Sequence, residues 1–191
     1  RNREWLWPYR ETDELGGHDP YSASKACAEL VVASYRDSFL RARGVLAASA
    51  RAGNVVGGGD WAADRLIPDL VRAAAAGEPL AVRNPRATRP WQHVLEPLAG
   101  YLMLGGHLLA GRSEFADAWN FGPDPEANLT VGEMVDRMAA HWPALRVRPP
   151  EPGVQPHEAG LLMLDSAKAR RLLGWRDRKS TRLNSSHRIR Y

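Results

Sequence analysis

The sequence of 191 residues contains a single cysteine, Cys27. One thiol cannot form an intramolecular disulfide, and this composition fits a reducing compartment such as the cytoplasm. The helical spacing around Cys27 predicts a small core residue rather than a reactive thiol. No set of histidine, cysteine and carboxylate residues has the spacing of a metal site, so we expect no metal ion.

Long hydrophobic runs are also missing. The longest apolar stretch, residues 98–110, is interrupted by glycines. It is shorter than the ~20 apolar residues that a membrane-spanning helix requires. The chain also begins without the pattern of a signal peptide. We therefore expect one or two globular domains with a sizeable core and no membrane partner.

Lysine is scarce, with three residues against 23 arginines, although the sequence pI is about 9.6. Residues 176–191 hold six of the 26 basic residues and one of the 22 acidic residues. The rest of the chain therefore carries 20 basic and 21 acidic groups, a net charge of −1. Because the body of the chain is not basic, we expect no nucleic-acid partner.

One of the three lysines stands four residues after a tyrosine, in Tyr21-Ser22-Ala23-Ser24-Lys25. Residues four apart lie on the same face of a helix. A lysine ammonium beside a phenol favours the phenolate, which can act as a general base on an alcohol. We therefore predict a catalytic pair of Tyr21 and Lys25.

The helix that carries this pair is predicted over residues 20–43. Asp19 is the expected N-cap, Pro20 occupies the first helical position, and Gly44 ends the helix. Its apolar positions predict an approximate buried stripe of Ala26, Leu30, Ala33 and Phe39.

Residues 45–56 are small and apolar, which is typical of a parallel strand buried on both faces. A run of glycines, Gly57 to Gly59, follows it. Ligands in open α/β sheets bind at the carboxyl ends of strands, so this run marks a candidate binding loop. Taken alone, the glycines also fit a plain turn.

The remaining segments alternate between helical and extended patterns. Thr130 and Glu133 predict a capping box, Trp91 is expected to pack in the core, and Asp165 is expected to cap a helix. The predicted helices are 65–77, 96–110, 130–142 and 165–173, and the predicted strands are 80–83, 119–122 and 161–164.

Residues 176–191 have no apolar period. A basic tail can bind nucleic acid, but this one carries no recognition motif and no aromatic stacking platform. It is similar to translated adaptor sequence, and we interpret it as a non-native tail.

Several segments are specific enough to be compared with known families. They are NREW, DPYSASK, RAGNVVGGGDW, DRLIPDL, RPWQHVLEPL, WNFGP and PHEA. From about residue 2 to residue 175, the chain resembles the extended short-chain dehydrogenase/reductase family, and within it the 4,6-dehydratases of sugar nucleotides. A run after PHEA, Gly160 to Met163, departs from the more polar and aromatic family pattern.

The resemblance implies an α/β fold, namely the C-terminal part of an NAD-binding Rossmann fold plus a smaller α/β substrate-binding domain. Residues 1–62 would end the Rossmann domain. Residues 63–175 would form mainly the substrate-binding domain, with segments that return to the Rossmann domain.

The resemblance also implies the cofactor, the substrate and the site residues. Tyr21 and Lys25 would act in catalysis and bind NAD. The substrate would be CDP-glucose or a related sugar nucleotide, and the full-length enzyme would be a homo-oligomer. The implied substrate-binding residues are Asn54, Arg65, Arg89, His93 and His157.

Two family features are absent from the sequence: the G-x-x-G-x-x-G fingerprint for NAD and a Thr-x-Asp-Lys-type block. We therefore expect the carboxyl-terminal part of a longer enzyme, which alone neither holds NAD tightly nor turns over. One alternative is another NAD-dependent sugar-nucleotide enzyme, an epimerase or a decarboxylase, that shares Tyr21 and Lys25. A second alternative is a non-catalytic fragment.

Overall fold

The structure is a computed structural model, and it describes residues 1–150 and 159–178. The α-helices of this part are α1 (Pro20–Tyr35), α2 (Leu66–Ala76), α3 (Leu95–Leu109) and α4 (Val131–His141). The strands are β1 (Ser49–Ala52), β2 (Asn54–Val56), β3 (Leu80–Ala81), β4 (Thr88–His93), β5 (Ala118–Phe121), β6 (Asn128–Thr130) and β7 (Val147–Arg148). The alternation of helices and strands confirms the predicted α/β class.

Three small sheets organise the described residues. Strand β1 pairs with β5 in parallel, and β3 pairs with β7 in parallel. Strand β4 is the centre of the third sheet, parallel to β2 and antiparallel to β6. The carboxyl end of β2 leads directly into the glycine run, Gly57 to Gly59.

The prediction of one buried strand over residues 45–56 is wrong. The chain forms two strands there, β1 and β2, which belong to different sheets and are only partly buried. Gly53 separates them, and a Cβ atom at this position would lie 2.3 Å from the carbonyl oxygen of Pro90. Only glycine permits this close approach, and the chain changes sheet at this point.

Helix α1 begins and ends as predicted but does not bury its apolar stripe. A π-helical turn (Arg36–Leu40) and a 3₁₀ turn (Arg41–Arg43) extend it to Gly44, which adopts a left-handed conformation with φ of 67°. Leu30 is 59% exposed and Phe39 is 52% exposed. Cys27 is an exposed free thiol, so its prediction as a core residue is wrong. The described part of the chain leaves this face of α1 uncovered.

One hydrophobic core forms where α3 packs against β5 and the segment that follows residue 168. Trp119 and Phe121 of β5 are completely buried, and Trp175 stands edge-on to Phe121 with 5.1 Å between the ring centroids. A π-helical turn, Ala169–Leu173, supplies two further buried residues. The cluster comprises Leu104, Phe115, Trp119, Phe121, Ala169, Leu173 and Trp175.

A second core joins α2 and α4 around β3. Its buried residues are Leu70, Ala74, Val82, Val135 and Leu145. The capping box predicted for α4 is present, because Thr130 Oγ1 accepts from the Glu133 N–H and Glu133 Oε2 accepts from the Thr130 N–H. Helix α2 ends at Gly77, as predicted, in a left-handed conformation. Trp91 is buried as predicted, and its Nε1 donates to the carbonyl of Leu129 at 3.1 Å.

The N-terminal loop is tied to the segment around residues 159–165. The Tyr9 N–H donates to the Met163 carbonyl at 2.9 Å, and the Asp165 N–H donates to the Tyr9 carbonyl at 2.9 Å. The predicted strand over residues 161–164 is reduced to two single-residue bridges, Leu161 with Thr88 and Leu164 with Tyr9. Because the two bridges join different neighbours, no continuous ladder forms.

The packed part of the chain continues past residue 175. Asp177 is buried, and its carboxylate lies 3.5 Å from the Gln92 side-chain nitrogen. The Arg178 N–H donates at 2.9 Å to the carboxylate of Glu96, which is also buried. The boundary predicted between residues 175 and 176 thus cuts through a docked segment, and residues 176–178 belong with the fold.

Candidate functional site

A cleft of about 780 Å³ runs between the ends of β1 and β2, the start of α2, and strands β3 and β4. Four of the predicted site residues line it: Tyr21, Asn54, Arg65 and Arg89. Lys25 and His93 are not among its lining residues, and His157 lies outside the described residues. The four predicted residues that line the cleft are up to 68 positions apart in the sequence, from Tyr21 to Arg89.

Tyr21 and Lys25 lie in the first two turns of α1. The Lys25 ammonium nitrogen is 5.6 Å from the centre of the Tyr21 ring. Tyr21 is 70% exposed, and Lys25 is exposed as well. The phenol therefore lies at the wall of the cleft with a cation beside it on the same helical face, which is the arrangement that the four-residue spacing predicts.

The start of α1 is held by its cap. Asp19 accepts from the Ser22 N–H at 2.9 Å and from the Ser22 hydroxyl at 2.6 Å. These two hydrogen bonds, the one from the hydroxyl first, hold the pKa of the Asp19 carboxyl below its ordinary value. Tyr21 is two residues after the cap, so the cap fixes the backbone from which the phenol projects.

A half-buried ion pair holds α1 against β1. Glu29 accepts from Arg51 Nη2 at 2.8 Å and from the Ser49 hydroxyl at 2.7 Å. The hydrogen bond from Arg51 is the main cause of a lowered pKa of the Glu29 carboxyl, which outweighs the effect of burial. Glu29 is one helical turn beyond Lys25, so this pair sets where the helix lies relative to the strand.

Asn54 opens β2 directly beside the central strand of its sheet. Its register partner is Trp91 of β4, and the close contact of Gly53 with the Pro90 carbonyl precedes it. Asn54 is half-buried and lines the cleft. A side-chain amide at this point can donate a hydrogen bond to a ligand through its NH₂ group and accept one through its oxygen.

Arg65 occupies the position before the first residue of α2. Its backbone is extended, with φ of −115°, while Asp64 before it has a left-handed φ of 61°. Arg65 Nη1 pairs with the Asp60 carboxylate at 3.2 Å, and 64% of its side chain is exposed. The turn at Asp64 and the ion pair hold a guanidinium at the cleft, next to a helix N-terminus.

Arg89 lies in β4 and is half-buried. Its Nη1 donates to the carbonyls of Thr88, at 3.0 Å, and Ala159, at 2.5 Å. These contacts hold the guanidinium head of a residue that lines the cleft. A guanidinium held in this way loses little further conformational freedom when it binds an anion.

His93 ends β4 and has a local partner. Its Nδ1 accepts from the Leu95 N–H at 3.2 Å, which satisfies a backbone group at the start of α3. This contact ties His93 to the strand-to-helix turn rather than to the cleft.

The cleft also contains residues that the sequence did not single out. Trp61 and Asp60 follow the glycine run, and Arg83 and Asn84 follow β3. The Asp-Trp pair directly after three glycines was the available signal, since polar and aromatic residues in a glycine-rich loop at a strand end suggest a binding role.

Within residues 1–150 and 159–178, no group of three or more histidine, cysteine or carboxylate side chains could hold a metal ion. No helix in these two ranges has the length and apolar character to cross a bilayer.

Comparison with known proteins gives a family, close relatives and similar structures. The family described as GDP-mannose 4,6 dehydratase matches residues 6–183. CDP-glucose 4,6-dehydratase of Salmonella typhimurium is 48% identical over 182 residues, which is 93% of this chain and 51% of that protein. The chain therefore spans about half the length of this curated relative.

The similar solved structures include a sugar-nucleotide dehydratase and an epimerase. A dTDP-glucose 4,6-dehydratase of Streptomyces venezuelae, crystallised with NAD, is 26% identical with a TM-score of 0.66, over 90% of this chain and 50% of that one. An epimerase of Methanothermobacter thermautotrophicus is 23% identical with a TM-score of 0.74, over 93% of this chain and 51% of that one, and this likeness concerns the fold alone.

Proposed function

The chain belongs to the family described as GDP-mannose 4,6 dehydratase, and from that premise we propose that it is part of an NAD-dependent CDP-glucose 4,6-dehydratase. Such an enzyme converts CDP-glucose to CDP-4-dehydro-6-deoxyglucose and water. The identity of 48% to the Salmonella enzyme of that activity favours CDP-glucose over other sugar nucleotides.

The observation that carries this proposal is the composition of the cleft. One cavity is lined by a phenol, an amide and two guanidinium groups, from Tyr21, Asn54, Arg65 and Arg89. Guanidinium groups suit a diphosphate, because their fork geometry and permanent charge match phosphate oxygens. A phenol beside an ammonium suits a hydroxyl that must lose a proton.

In the proposed reaction Tyr21 acts on the sugar end of the substrate. Its phenolate removes the proton from the C4 hydroxyl as the C4 hydrogen leaves as hydride, and C4 becomes a ketone. The ketone acidifies the C5 proton, and loss of this proton and of the C6 hydroxyl as water leaves a C5=C6 double bond. Addition of a hydride at C6 and a proton at C5 then gives the 6-deoxy sugar. Bound NAD would supply the acceptor of the C4 hydride and the donor of the C6 hydride. The groups that assist water loss are not assigned to this chain.

The residues beside the phenol of Tyr21 fit only the nicotinamide side of the cofactor. The Lys25 ammonium is 5.6 Å from the Tyr21 ring centre and exposed, so it can donate to ribose hydroxyls of the cofactor while it stabilises the phenolate. The fingerprint that receives the cofactor pyrophosphate is not in this sequence. We therefore assign Tyr21 and Lys25 to the nicotinamide side and nothing to the pyrophosphate.

The substrate assignments differ in their support. Asn54, Arg65 and Arg89 are supported by the cleft that they share. His93 is supported by the family resemblance alone, and its contact with the Leu95 N–H favours a role in positioning the turn. His157 also rests on the resemblance alone. The same resemblance is the basis for proposing a homo-oligomer, and the single cysteine for proposing a cytoplasmic enzyme.

The proposal is tested by binding of CDP-glucose to the 191-residue chain, measured by isothermal titration calorimetry. Arg89→Ala should weaken binding by about 10- to 100-fold, because each charge-assisted hydrogen bond contributes roughly 1.5–3 kcal/mol. Arg89→Lys should recover part of the loss, since a point charge does not reproduce the fork. Arg171→Ala, at an exposed arginine outside the cleft, is the matched control and should leave binding unchanged.

Two outcomes would contradict the proposal. No binding of CDP-glucose by the wild-type chain would remove its basis. An equal loss in Arg89→Ala and Arg171→Ala would show a general charge effect instead of a site. UDP-glucose and dTDP-glucose are measured alongside, and a preference for UDP-glucose would favour the alternative of a UDP-sugar epimerase or decarboxylase.

A further inference from the structure

Trp61 is a large aromatic residue that lines the cleft and yet is 68% exposed. It follows the glycine run and Asp60, and it precedes Arg65 by four positions. An indole ring exposed in this way contributes little to the hydrophobic core, because most of its surface stays in water. Its position therefore needs an explanation other than packing.

The backbone of the Trp61 loop is held from the side of α2. Arg72 Nη1 donates to the Trp61 carbonyl at 2.9 Å, and its Nη2 donates to the Ala62 carbonyl at 3.3 Å. Asp60 accepts from the Ala62 N–H at 3.1 Å and pairs with Arg65 at 3.2 Å. These contacts hold the backbone of the loop, so the backbone from which the exposed Trp61 ring projects needs little further ordering when a ligand binds.

A sugar nucleotide has three parts in a fixed order: sugar, diphosphate and nucleobase. This inference rests on the proposed function, in which Tyr21 meets the sugar and Arg65 and Arg89 meet the diphosphate. The base then lies beyond the diphosphate, away from the sugar. Trp61 is an exposed aromatic residue of the cleft that directly follows Asp60, the ion-pair partner of Arg65. A planar base stacks favourably on an indole ring.

We propose that Trp61 is the stacking platform for the nucleobase of the substrate. Stacking of a base on an aromatic side chain contributes an amount that corresponds to about a 5- to 150-fold change in affinity. It is tolerant of base identity, because every base has a π face. Trp61 thus contributes affinity for nucleoside diphosphate sugars as a class and does not by itself select cytosine.

The test compares three ligands on the 191-residue chain by calorimetry: CDP-glucose, CDP and glucose 1-phosphate. Trp61→Ala should lower the affinity for CDP-glucose and for CDP by about 5- to 150-fold and leave the affinity for glucose 1-phosphate unchanged. Trp61→Phe should retain part of the affinity, since a smaller ring still stacks. Trp7→Ala is the matched control, because Trp7 is 72% exposed and does not line the cleft. Thermal unfolding should be similar for all variants, since both residues are on the surface.

Each contrary result has a distinct meaning. If CDP-glucose binds, Arg89→Ala weakens it and Trp61→Ala does not, the stacking role is overturned while the proposed function stands. If Trp61→Ala weakens glucose 1-phosphate as much as CDP, the ring contacts the sugar and the proposal for the base is overturned. If Trp7→Ala has the same effect as Trp61→Ala, the effect is not local and the proposal also falls. If the wild-type chain does not bind CDP-glucose, both proposals fall.

Discussion

Tyr21 combines exposure to the cleft with a neighbouring cation. Its phenol is 70% exposed at the wall of a cleft, and a cation lies 5.6 Å from its ring centre. The cap at Asp19 holds the backbone from which it projects. An exposed phenol beside a cation can exchange a proton with a bound hydroxyl without moving the helix.

At the residue scale we predict the effect of removing one hydroxyl. The test uses a longer protein, in which this chain is joined to the part of its relatives that it does not span. In that protein, Tyr21→Phe should lower kcat by about 10²- to 10⁴-fold, the usual cost of losing a general base. Binding of CDP-glucose should change little, since the ring remains. Product formation is followed by the absorbance of the 4-keto sugar in alkali.

The matched control for this prediction is Tyr35→Phe. Tyr35 lies on the same helix, is 57% exposed and does not line the cleft, so loss of its hydroxyl should leave turnover unchanged. Turnover of Tyr21→Phe at the wild-type rate would show that Tyr21 is not the base.

Lys25→Met should lower kcat and the affinity for NAD together, because one ammonium serves both roles.

At the scale of elements, α1 depends on a polar attachment. The part of the chain that the structure describes leaves its apolar residues largely exposed, and no residue of α1 is buried. The Glu29 carboxylate bridges the helix to β1 through Arg51 and Ser49. The ion pair of Glu29 and Arg51 thus attaches α1 to the rest of the structure. Helix α3 is attached instead by side-chain packing in the first hydrophobic core.

We predict that Glu29→Gln lowers the free energy of unfolding in a pH-dependent way. The hydrogen bond from Arg51 lowers the pKa of Glu29 in the folded state, so its contribution is present above the unfolded-state pKa of about 4.3. It is lost as the pH falls through the lower, folded-state pKa. After allowance for solvent screening, we expect a difference of about 1 kcal/mol at pH 7.

Urea denaturation of wild type and Glu29→Gln at pH 7 and at pH 3 measures this difference. The difference in free energy of unfolding between the two proteins should be smaller at pH 3. Glu78 is an exposed residue, so the control substitution Glu78→Gln should have little effect at either pH. A difference that is the same at both values of pH would show that the charge of Glu29 does not stabilise the helix.

At the scale of the whole molecule, the last described residues, up to Arg178, contact β4 and α3. Trp175 Nε1 donates to the Glu96 carbonyl at 3.0 Å, and the Arg178 N–H donates to the Glu96 carboxylate. Asp177 is buried beside Gln92, a residue that is itself completely buried. The C-terminal segment therefore covers polar groups at the junction of β4 and α3.

Two truncations should separate this docked segment from the tail that follows it. Ending the chain after Arg178 should leave the melting temperature nearly unchanged, because residues 179–191 have no apolar period to bury. Ending it after Trp175 should lower the free energy of unfolding by about 1–3 kcal/mol, since the buried Glu96 carboxylate loses its N–H donor. Equal melting temperatures for the two truncated chains, measured by circular dichroism, would contradict this role.

The sequence by itself determined the features that depend on neighbours along the chain. The caps at Asp19 and Thr130, the left-handed glycines at 44 and 77, and the shared face of Tyr21 and Lys25 are as predicted. Each of these depends on residues within one or two helical turns, so local spacing is sufficient to predict it.

Only the tertiary structure decided the features that depend on distant contacts. The change of sheet at Gly53 depends on Pro90, and the burial of Asp177 depends on Gln92. The exposure of Cys27 likewise depends on which elements cover α1. Periodicity shows which face of an element is apolar, but the packing of the whole chain decides whether that face is covered and which side chains meet in the cleft.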